Sequence, residues 1–215
     1  MEEAERTNID WRAAKTTQRR YDRQALGYDL KDAPMELFAR ALRRRLWAKI
    51  GGGRVLEVGV GTGRNLPYHP PKGEVTAIDI SPKLLAKAAR KARKRGQSLE
   101  LGLMDAQGLA FADGSFDSAA ATFVFCSVPD PLVGLAEVRR VLKPGGRFLL
   151  LEHVRLKNRV LGWLMDRLNP LWVRLSGANI NRDTVGNVAK AGLEIVAVDS
   201  HMGGLVKLIE ARKGM

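Results

Sequence analysis

Three glycines at alternate positions follow an apolar stretch and are suited to holding a ligand. The stretch ends at Val58, and Gly59, Gly61 and Gly63 come directly after it. Glycine admits positive φ angles and lets backbone N–H groups approach a ligand closely. Arg64 breaks the G-x-G-x-x-G dinucleotide pattern, and no Gly-Lys-Ser/Thr ending makes a P-loop. The pattern predicts a ligand-binding turn between a strand and a helix; a tight turn without a ligand is the alternative.

Two aspartates follow this loop at positions that suit a nucleoside. Asp79 ends the second apolar stretch, 16 residues past Gly63. A carboxylate there accepts hydrogen bonds from both hydroxyls of a ribose. Asp105 follows another apolar run and can accept a hydrogen bond from an adenine amine. Each aspartate can instead be an ordinary turn residue, Asp79 before Ser81 and Asp105 beside Gly108.

The elements that must position these residues alternate between strand and helix from about residue 53 onward. Near-continuous apolar strands separated by helices predict a parallel sheet covered on both faces, hence an α/β fold. Helix starts are marked by Ser81-Pro82 and Asp130-Pro131, and the second helix stops at Lys143-Pro144-Gly145-Gly146. The predicted strands cover 54–58, 74–78, 118–124, 146–151, 193–199 and 205–211, and the helices 82–95, 131–142 and 183–191.

Two segments stand outside this alternation. Residues 1–50 predict an N-terminal helical cover of two helices, followed by one domain over 51–215. Residues 155–180 predict a helical insertion after the fifth strand, in which leucines, Trp163 and Trp172 alternate with arginines. Such a composition is typical of a helix in a membrane interface, whereas a lid packed on the domain is the alternative.

Composition narrows the class of protein. The 215 residues carry a formal charge of +13 and a single cysteine, Cys126, which excludes an internal disulfide or a zinc site built on several cysteines. No run reaches the roughly 18–20 apolar residues of a bilayer span. Residues 1–9 lack the apolar core of a secretory signal. We therefore expect a cytoplasmic protein attracted to polyanions, either anionic membranes or nucleic acid.

At the glycine loop and the two aspartates, the sequence resembles the class I S-adenosylmethionine-dependent methyltransferases. Phe116-Asp117 and Leu142-Lys143-Pro144-Gly145-Gly146 resemble later landmarks of that family. The resemblance implies a Rossmann-like seven-stranded sheet of order 3-2-1-4-5-7-6 with the last strand antiparallel. It also implies S-adenosylmethionine as the cofactor and no metal. The implied cofactor-binding residues are Tyr28, Glu57, Gly59, Gly61, Gly63, Asn65, Asp79, Ile80, Asp105, Ala106 and Thr122.

A weaker resemblance concerns the branch of the family. The opening Tyr21-Asp22 to Tyr28-Asp29 resembles that of quinone, sterol and phospholipid methyltransferases. Glu152-His153-Val154 and the stretch 177–184 are similar to the lipid-associated branch, which includes bacterial phosphatidylethanolamine N-methyltransferases and mammalian thiol methyltransferases. Cys126-Ser127 departs from the histidine pair of many relatives.

Methyl transfer is a displacement at the methyl carbon, and an ammonium acceptor must first lose its proton. The candidates for this chemistry are His153 as a base, and Tyr21 and Tyr28 as polar or cation–π contacts. For each residue, a structural role in the core is the alternative.

The expected substrate is a lipid amine, with phosphatidylethanolamine N-methylation as the preferred activity. A small hydrophobic thiol or quinol is the alternative substrate. The rival of another class is a nucleic-acid-binding protein that uses the basic helix 83–95, but that helix has no aromatic residue for base stacking. We therefore expect no nucleic acid, an anionic membrane surface as partner, peripheral membrane attachment and a monomer.

Overall fold

A seven-stranded sheet forms the centre of the protein in the computed structural model, which describes residues 9–31 and 33–215. The strand order is β3-β2-β1-β4-β5-β7-β6, and β7 runs antiparallel to both β5 and β6. This confirms the Rossmann-like α/β fold and the strand order expected above. The strands are β1 Gly53–Val58, β2 Gly73–Asp79, β3 Glu100–Leu103, β4 Phe116–Thr122, β5 Leu142–His153, β6 Leu193–His201 and β7 Val206–Lys213.

Both faces of the sheet are covered, which explains the continuous apolar strands. Side chains of alternate residues point to opposite faces of a strand. In β1, Leu56 and Val58 join a core cluster with helix α5 (Pro131–Val141), while Val55 joins a second cluster with helix α3 (Ala33–Ala48). Burial on both faces keeps the carboxyl ends of β1, β2 and β4 in fixed register, and the candidate residues lie there.

The capped helix starts are confirmed. Helix α4 (Pro82–Lys94) begins after Ser81, whose hydroxyl accepts a hydrogen bond from the Leu84 N–H. Helix α5 begins after Asp130, whose carboxylate accepts from Leu132 and Val133. A short helix α7 (Thr184–Lys190) follows Asp183 in the same way. These caps satisfy N–H groups that have no partner within the helix.

The described part of the N-terminal segment contains three helices where two were predicted: α1 (Trp11–Gln24), α2 (Tyr28–Lys31) and α3. Helix α3 is part of the sheet's own packing, because Leu46 and Trp47 are fully buried against strand residues such as Leu149. Of these three helices, α1 and α2 cover the carboxyl ends of the strands, and they are called the cover below.

The insertion after β5 is helix α6 (Arg159–Ser176). Its polar side chains hold it to the protein: Asp166 pairs with Arg155 at 2.8 Å, and the Asn169 amide donates to Asn179 Oδ1 at 3.0 Å. Its apolar side chains instead face outward, with Trp163 59% and Trp172 49% exposed. None of the helices in the described ranges combines the length and apolar character needed to cross a bilayer.

Strand β5 begins four residues earlier than predicted. Lys143-Pro144-Gly145-Gly146 was expected to end the preceding helix, but these residues belong to β5. Leu142 pairs with Phe116, and an irregularity follows before Ser118 pairs with Arg147. A β-bulge tolerates proline and glycine within a strand, which explains the difference.

Candidate active site

A solvent-open cavity lies at the carboxyl ends of the strands, beneath the cover. Concave, mostly apolar clefts with a few polar groups are typical of small-molecule sites. Most of its wall is apolar, and the polar groups are concentrated at Asp79, Asp105 and a few hydroxyls. The wall consists of Thr17, Tyr21, Tyr28, Val58, Gly59, Gly61, Ile78, Asp79, Ile80, Leu84, Met104, Asp105, Ala106, Thr122, Phe123, Val124, Ser127, Val128 and Pro129.

Each glycine of the loop after β1 has a different physical role. All three have positive φ angles: 71° at Gly59, 56° at Gly61 and 78° at Gly63. A Cβ at Gly59 would collide with Val124, and one at Gly63 with Leu66. A Cβ at Gly61 would meet nothing within 4 Å. Gly61 therefore brings bare backbone to the cavity, whereas Gly63 permits close packing and is not on the cavity wall.

Asp79 is oriented by two backbone N–H groups. Its Oδ2 accepts from Gly61 N and its Oδ1 from Ser81 N, both at 2.8 Å. The side chain is nearly buried, and burial raises its pKa to about 6 against the lowering effect of these N–H groups. The carboxyl group lies on the cavity wall beside the glycine loop, in a position that fits a pair of ribose hydroxyls.

Asp105 also lies on the wall, but both of its oxygens already accept hydrogen bonds from Gln107. The distances are 2.9 Å from the Gln107 N–H to Oδ1 and 3.0 Å from its amide nitrogen to Oδ2. The amide oxygen of Gln107 accepts in turn from Asp130 N. Gln107 is therefore a supporting residue that the sequence reasoning missed. Ile80, Ala106 and Thr122 line the same wall.

Glu57 and Asn65 lie behind the glycine loop rather than on the cavity wall. Glu57 is fully buried; its Oε1 accepts from Asn65 Nδ2 at 2.6 Å, and its Oε2 lies 2.8 Å from His69 Nε2. Arg43 donates to both Asn65 Oδ1 and Thr122 Oγ1. This network fixes the loop and β4 relative to each other, so these residues support the site from below.

The two tyrosines of the cover line the opposite side of the cavity. Their ring centres are 6.2 Å apart, and Tyr21 Oη lies 2.5 Å from Ser127 Oγ. Burial raises the pKa of Tyr21 well above its usual value, so its hydroxyl stays protonated. Tyr21 can therefore form hydrogen bonds or present its ring, but it is not a phenolate base at neutral pH.

His153 does not reach the cavity. Its ring stacks on Phe123 with centres 4.5 Å apart, and Phe123 is the residue on the wall. Burial lowers the pKa of His153, which keeps the ring neutral at pH 7. From this position His153 would need a bridging water or a shift of the Phe123 ring to reach an acceptor, and its role as a base stays a prediction.

The segment 123–129, called the post-β4 loop below, contains both Cys126 and Ser127. Cys126 is buried, and burial raises the pKa of its thiol far above the usual range, so it is not a reactive thiolate. Ser127 lines the cavity opposite Tyr21. Glu152, next to His153, is fully buried beneath this loop; the sequence placed it in a resemblance to the lipid-associated branch but gave it no role.

The cover is held to the cofactor side by two aspartates. Asp22 accepts from the Ser81 hydroxyl at 2.6 Å, two residues from Asp79. Asp29 accepts from the Thr62 hydroxyl at 2.6 Å, within the glycine loop. Lys87 of the basic helix α4 donates to the Ala25 carbonyl. Part of the basic charge of α4 therefore holds the cover.

Comparison with known proteins identifies a methyltransferase domain. Residues 56–150 match the family model described as "Methyltransferase domain". Similar curated proteins include a phosphatidylethanolamine N-methyltransferase of Cereibacter sphaeroides, 43% identical over 52% of this chain and 57% of that protein. A thiol S-methyltransferase of Rattus norvegicus is 34% identical over 67% and 62%, and a demethylmenaquinone methyltransferase of Thermus thermophilus is 40% identical over 46% and 46%.

The fold is shared with solved structures. A possible histamine N-methyltransferase from Thermotoga maritima superposes with a TM-score of 0.68 and 24% identity, over 91% of this chain and 99% of that one. An S-adenosylmethionine-dependent methyltransferase from Methanosarcina mazei gives 0.62 and 25%, over 75% and 92%.

The chain carries a methyltransferase domain with the class I S-adenosylmethionine-dependent fold, and its cofactor is S-adenosylmethionine. It spans about half to two thirds of the length of the curated relatives named above.

Proposed function

We propose that the protein transfers a methyl group from S-adenosylmethionine to the amine of a membrane lipid of the phosphatidylethanolamine type. The observation that carries the proposal is the acceptor end of the cavity, where Tyr21, Tyr28 and Phe123 give an aromatic wall. Aromatic faces attract ammonium groups, and tyrosine hydroxyls bind their N–H groups. The 43% identity to a phosphatidylethanolamine N-methyltransferase supports the same acceptor.

The cofactor would supply an activated methyl group bound to sulfur. On the protein side, the Asp79 carboxylate accepts from the ribose hydroxyls, and the bare backbone at Gly61 admits the ligand. Asp105, held by Gln107, faces the adenine side. These residues hold the cofactor without taking part in bond breaking, so positioning in a water-poor cavity supplies the acceleration.

The acceptor amine would contact Tyr21, Tyr28 and Ser127. All three carry hydroxyl groups on the wall, and burial raises the pKa of Tyr21 so that its hydroxyl stays protonated at neutral pH. They hold the nitrogen and direct its lone pair, while its proton leaves to solvent. In this proposal His153 packs behind Phe123 and keeps that ring in place.

The outward face of α6 would contact the membrane. Exposed Trp163 and Trp172 lie beside Arg159, Arg167 and Arg174, and the Arg167 guanidinium lies 5.9 Å from the Trp163 ring centre. Such a face combines apolar insertion with attraction to anionic lipid. Because the polar side chains of α6 hold it to the protein, the apolar face is turned toward the surroundings. We propose peripheral attachment of a monomer through this face.

A second acceptor is a small hydrophobic thiol. The neutral hydroxyl and aromatic wall suits an uncharged acceptor, and a rat thiol S-methyltransferase is 34% identical. The rival hypothesis of a nucleic-acid-binding protein has less support. The basic helix α4 has no aromatic residue for base stacking, and part of its charge is used within the protein.

The test is incubation with cofactor carrying a labelled methyl group, in parallel with a total lipid extract and with an alkyl thiol. We expect label in a methylated phosphatidylethanolamine. Label in the thiol alone would favour the second acceptor. The Asp79→Ala variant must show no transfer in either incubation, because it lacks the carboxyl group assigned to the ribose.

A further inference from the structure

The post-β4 loop forms the acceptor side of the cavity and begins in an unusual conformation. Five of its residues line the wall, namely Phe123, Val124, Ser127, Val128 and Pro129. Phe123 has a φ angle of 58°, in the left-handed region that non-glycine residues rarely adopt. A bulky residue persists there only when the surrounding structure fixes it.

Glu152 of β5 is the group beneath this turn. Its side chain is fully buried, and its Oε1 accepts from Val124 N at 2.8 Å and from Phe125 N at 2.9 Å. Because β4 ends at Thr122, these N–H groups lie beyond its ladder with β5. Buried N–H groups require acceptors, and one carboxyl oxygen serves both.

The carboxyl group does not itself reach the acceptor. Glu152 is not on the cavity wall, and within the described part of the chain its Oε2 forms no hydrogen bond. Any effect of Glu152 on the acceptor must therefore pass through the loop.

Other contacts hold the outer part of the loop, whereas the N–H groups of its first turn donate to the Leu151 carbonyl, from Phe123, and to Glu152, from Val124 and Phe125. The backbone and side-chain N–H groups of Asn179 both donate to the Cys126 carbonyl, at 2.8 and 2.9 Å. Arg182 donates to the Val128 carbonyl at 3.1 Å. With both ends held, Ser127 is brought to 2.5 Å from the Tyr21 hydroxyl across the cavity.

We propose that Glu152 is a positioning residue for the methyl acceptor: its buried carboxyl group fixes the turn at Phe123, and the turn brings Ser127 to Tyr21. This inference rests on the proposed function, because the acceptor is what the loop faces. It predicts that Glu152 acts on acceptor binding much more than on cofactor binding, because Asp79 and Gly61 do not contact it and only Val124 of the held turn packs on the glycine loop, at Gly59.

The experiment compares Glu152→Ala with Glu152→Gln. Glutamine keeps an oxygen that accepts from the same two N–H groups, whereas alanine leaves both without a partner. For Glu152→Ala we expect faster hydrogen exchange over 123–128, KM for the acceptor raised about tenfold or more, and a cofactor Kd within about twofold of wild type. Glu152→Gln should restore exchange and KM to near wild-type values.

Glu137→Ala is the matched control. Glu137 also accepts from a loop N–H, that of Leu109 at 2.8 Å, but Leu109 is not on the cavity wall. This variant should leave the acceptor KM unchanged. If Glu152→Ala does not fold, Glu152→Asp, which is one methylene shorter, is measured in its place.

Unchanged exchange over 123–128 in the alanine variant would overturn the proposal, as would an unchanged acceptor KM. Equal changes in exchange and in acceptor KM for Glu152→Gln would also overturn it. Glutamine keeps the accepting oxygen, so the charge or the proton of Glu152 would then be what matters. If the wild type binds cofactor but methylates no acceptor, the proposed function fails, and the exchange comparison still decides whether Glu152 holds the loop.

Discussion

Acidification is expected to weaken cofactor binding through Asp79. Burial raises the pKa of this carboxyl group to about 6 in the cofactor-free protein. Only the carboxylate can accept hydrogen bonds from two ribose hydroxyls with both oxygens. Protonation therefore competes with binding, and affinity is lost as the pH falls through about 6 rather than as it rises.

The magnitude follows from that pKa. A carboxyl group with a pKa of about 6 is roughly nine-tenths protonated at a pH of about 5. The cofactor Kd should therefore rise about tenfold between pH values of about 7 and 5, equivalent to about 1.4 kcal/mol. At a pH near this pKa, cofactor binding should also shift Asp79 toward its carboxylate form, so that a fraction of a proton is released for each cofactor bound.

Calorimetric titration at several pH values, each in two buffers of different ionisation enthalpy, measures both quantities. Asp79→Asn is the control: it should bind more weakly throughout and show no such dependence on pH. A wild-type Kd that is flat across this range, or a dependence that persists in Asp79→Asn, would refute the assignment of Asp79 to the ribose.

Three further outcomes are expected. Gly61→Val should abolish cofactor binding in calorimetry, because its side chain enters the cavity and its backbone is strained at a φ of 56°; circular dichroism checks that the variant is folded, and retained affinity would contradict this. Burial raises the pKa of Glu152 from an ordinary 4.5 to about 7 in the folded protein. The free energy of unfolding should therefore fall by about 3 kcal/mol as the pH rises from the ordinary pKa to the raised one. Urea unfolding of Glu152→Gln should show no such fall, and identical pH profiles for the two proteins would contradict it. Trp163→Ala with Trp172→Ala should remove the salt-resistant part of binding to anionic vesicles, measured by co-sedimentation; unaltered binding would exclude α6 as the contact.

Sequence reasoning was most successful where a local pattern has a local cause. Most strands, and the turns at Gly59 and Gly61, follow from apolar periodicity and from backbone freedom, which neighbouring residues reveal, whereas the strand order was implied by the family resemblance. The capped starts at Ser81 and Asp130 have the same character. Each of these turns and helix caps depends on residues that are close together in the sequence.

Reasoning was less successful where distant residues meet. Arg43 stands in a run of three arginines to which sequence reasoning assigned no role, yet it is buried and bonded to Asn65 and Thr122. The sequence predicted a role for His153 because it is a titratable residue at a strand end. In the structure its ring stacks on Phe123, and its neighbour Glu152 accepts a hydrogen bond from Val124 of the cavity wall. A strand alternates sides with each residue, and only the paired strands decide which side faces the site.

The attachment of the cover has a consequence for how the protein resists proteases. Asp22 and Asp29 bind Ser81 and Thr62, which lie in the two loops that we propose for cofactor binding. A cofactor bound to those loops therefore also stabilises the attachment of the cover, because the two are thermodynamically linked. The exposed connection around Leu26, between α1 and α2, should become harder to cleave as cofactor is added, while cleavage elsewhere on the surface stays constant. The rate of cleavage at this connection therefore reports cofactor occupancy, without any methyl transfer taking place.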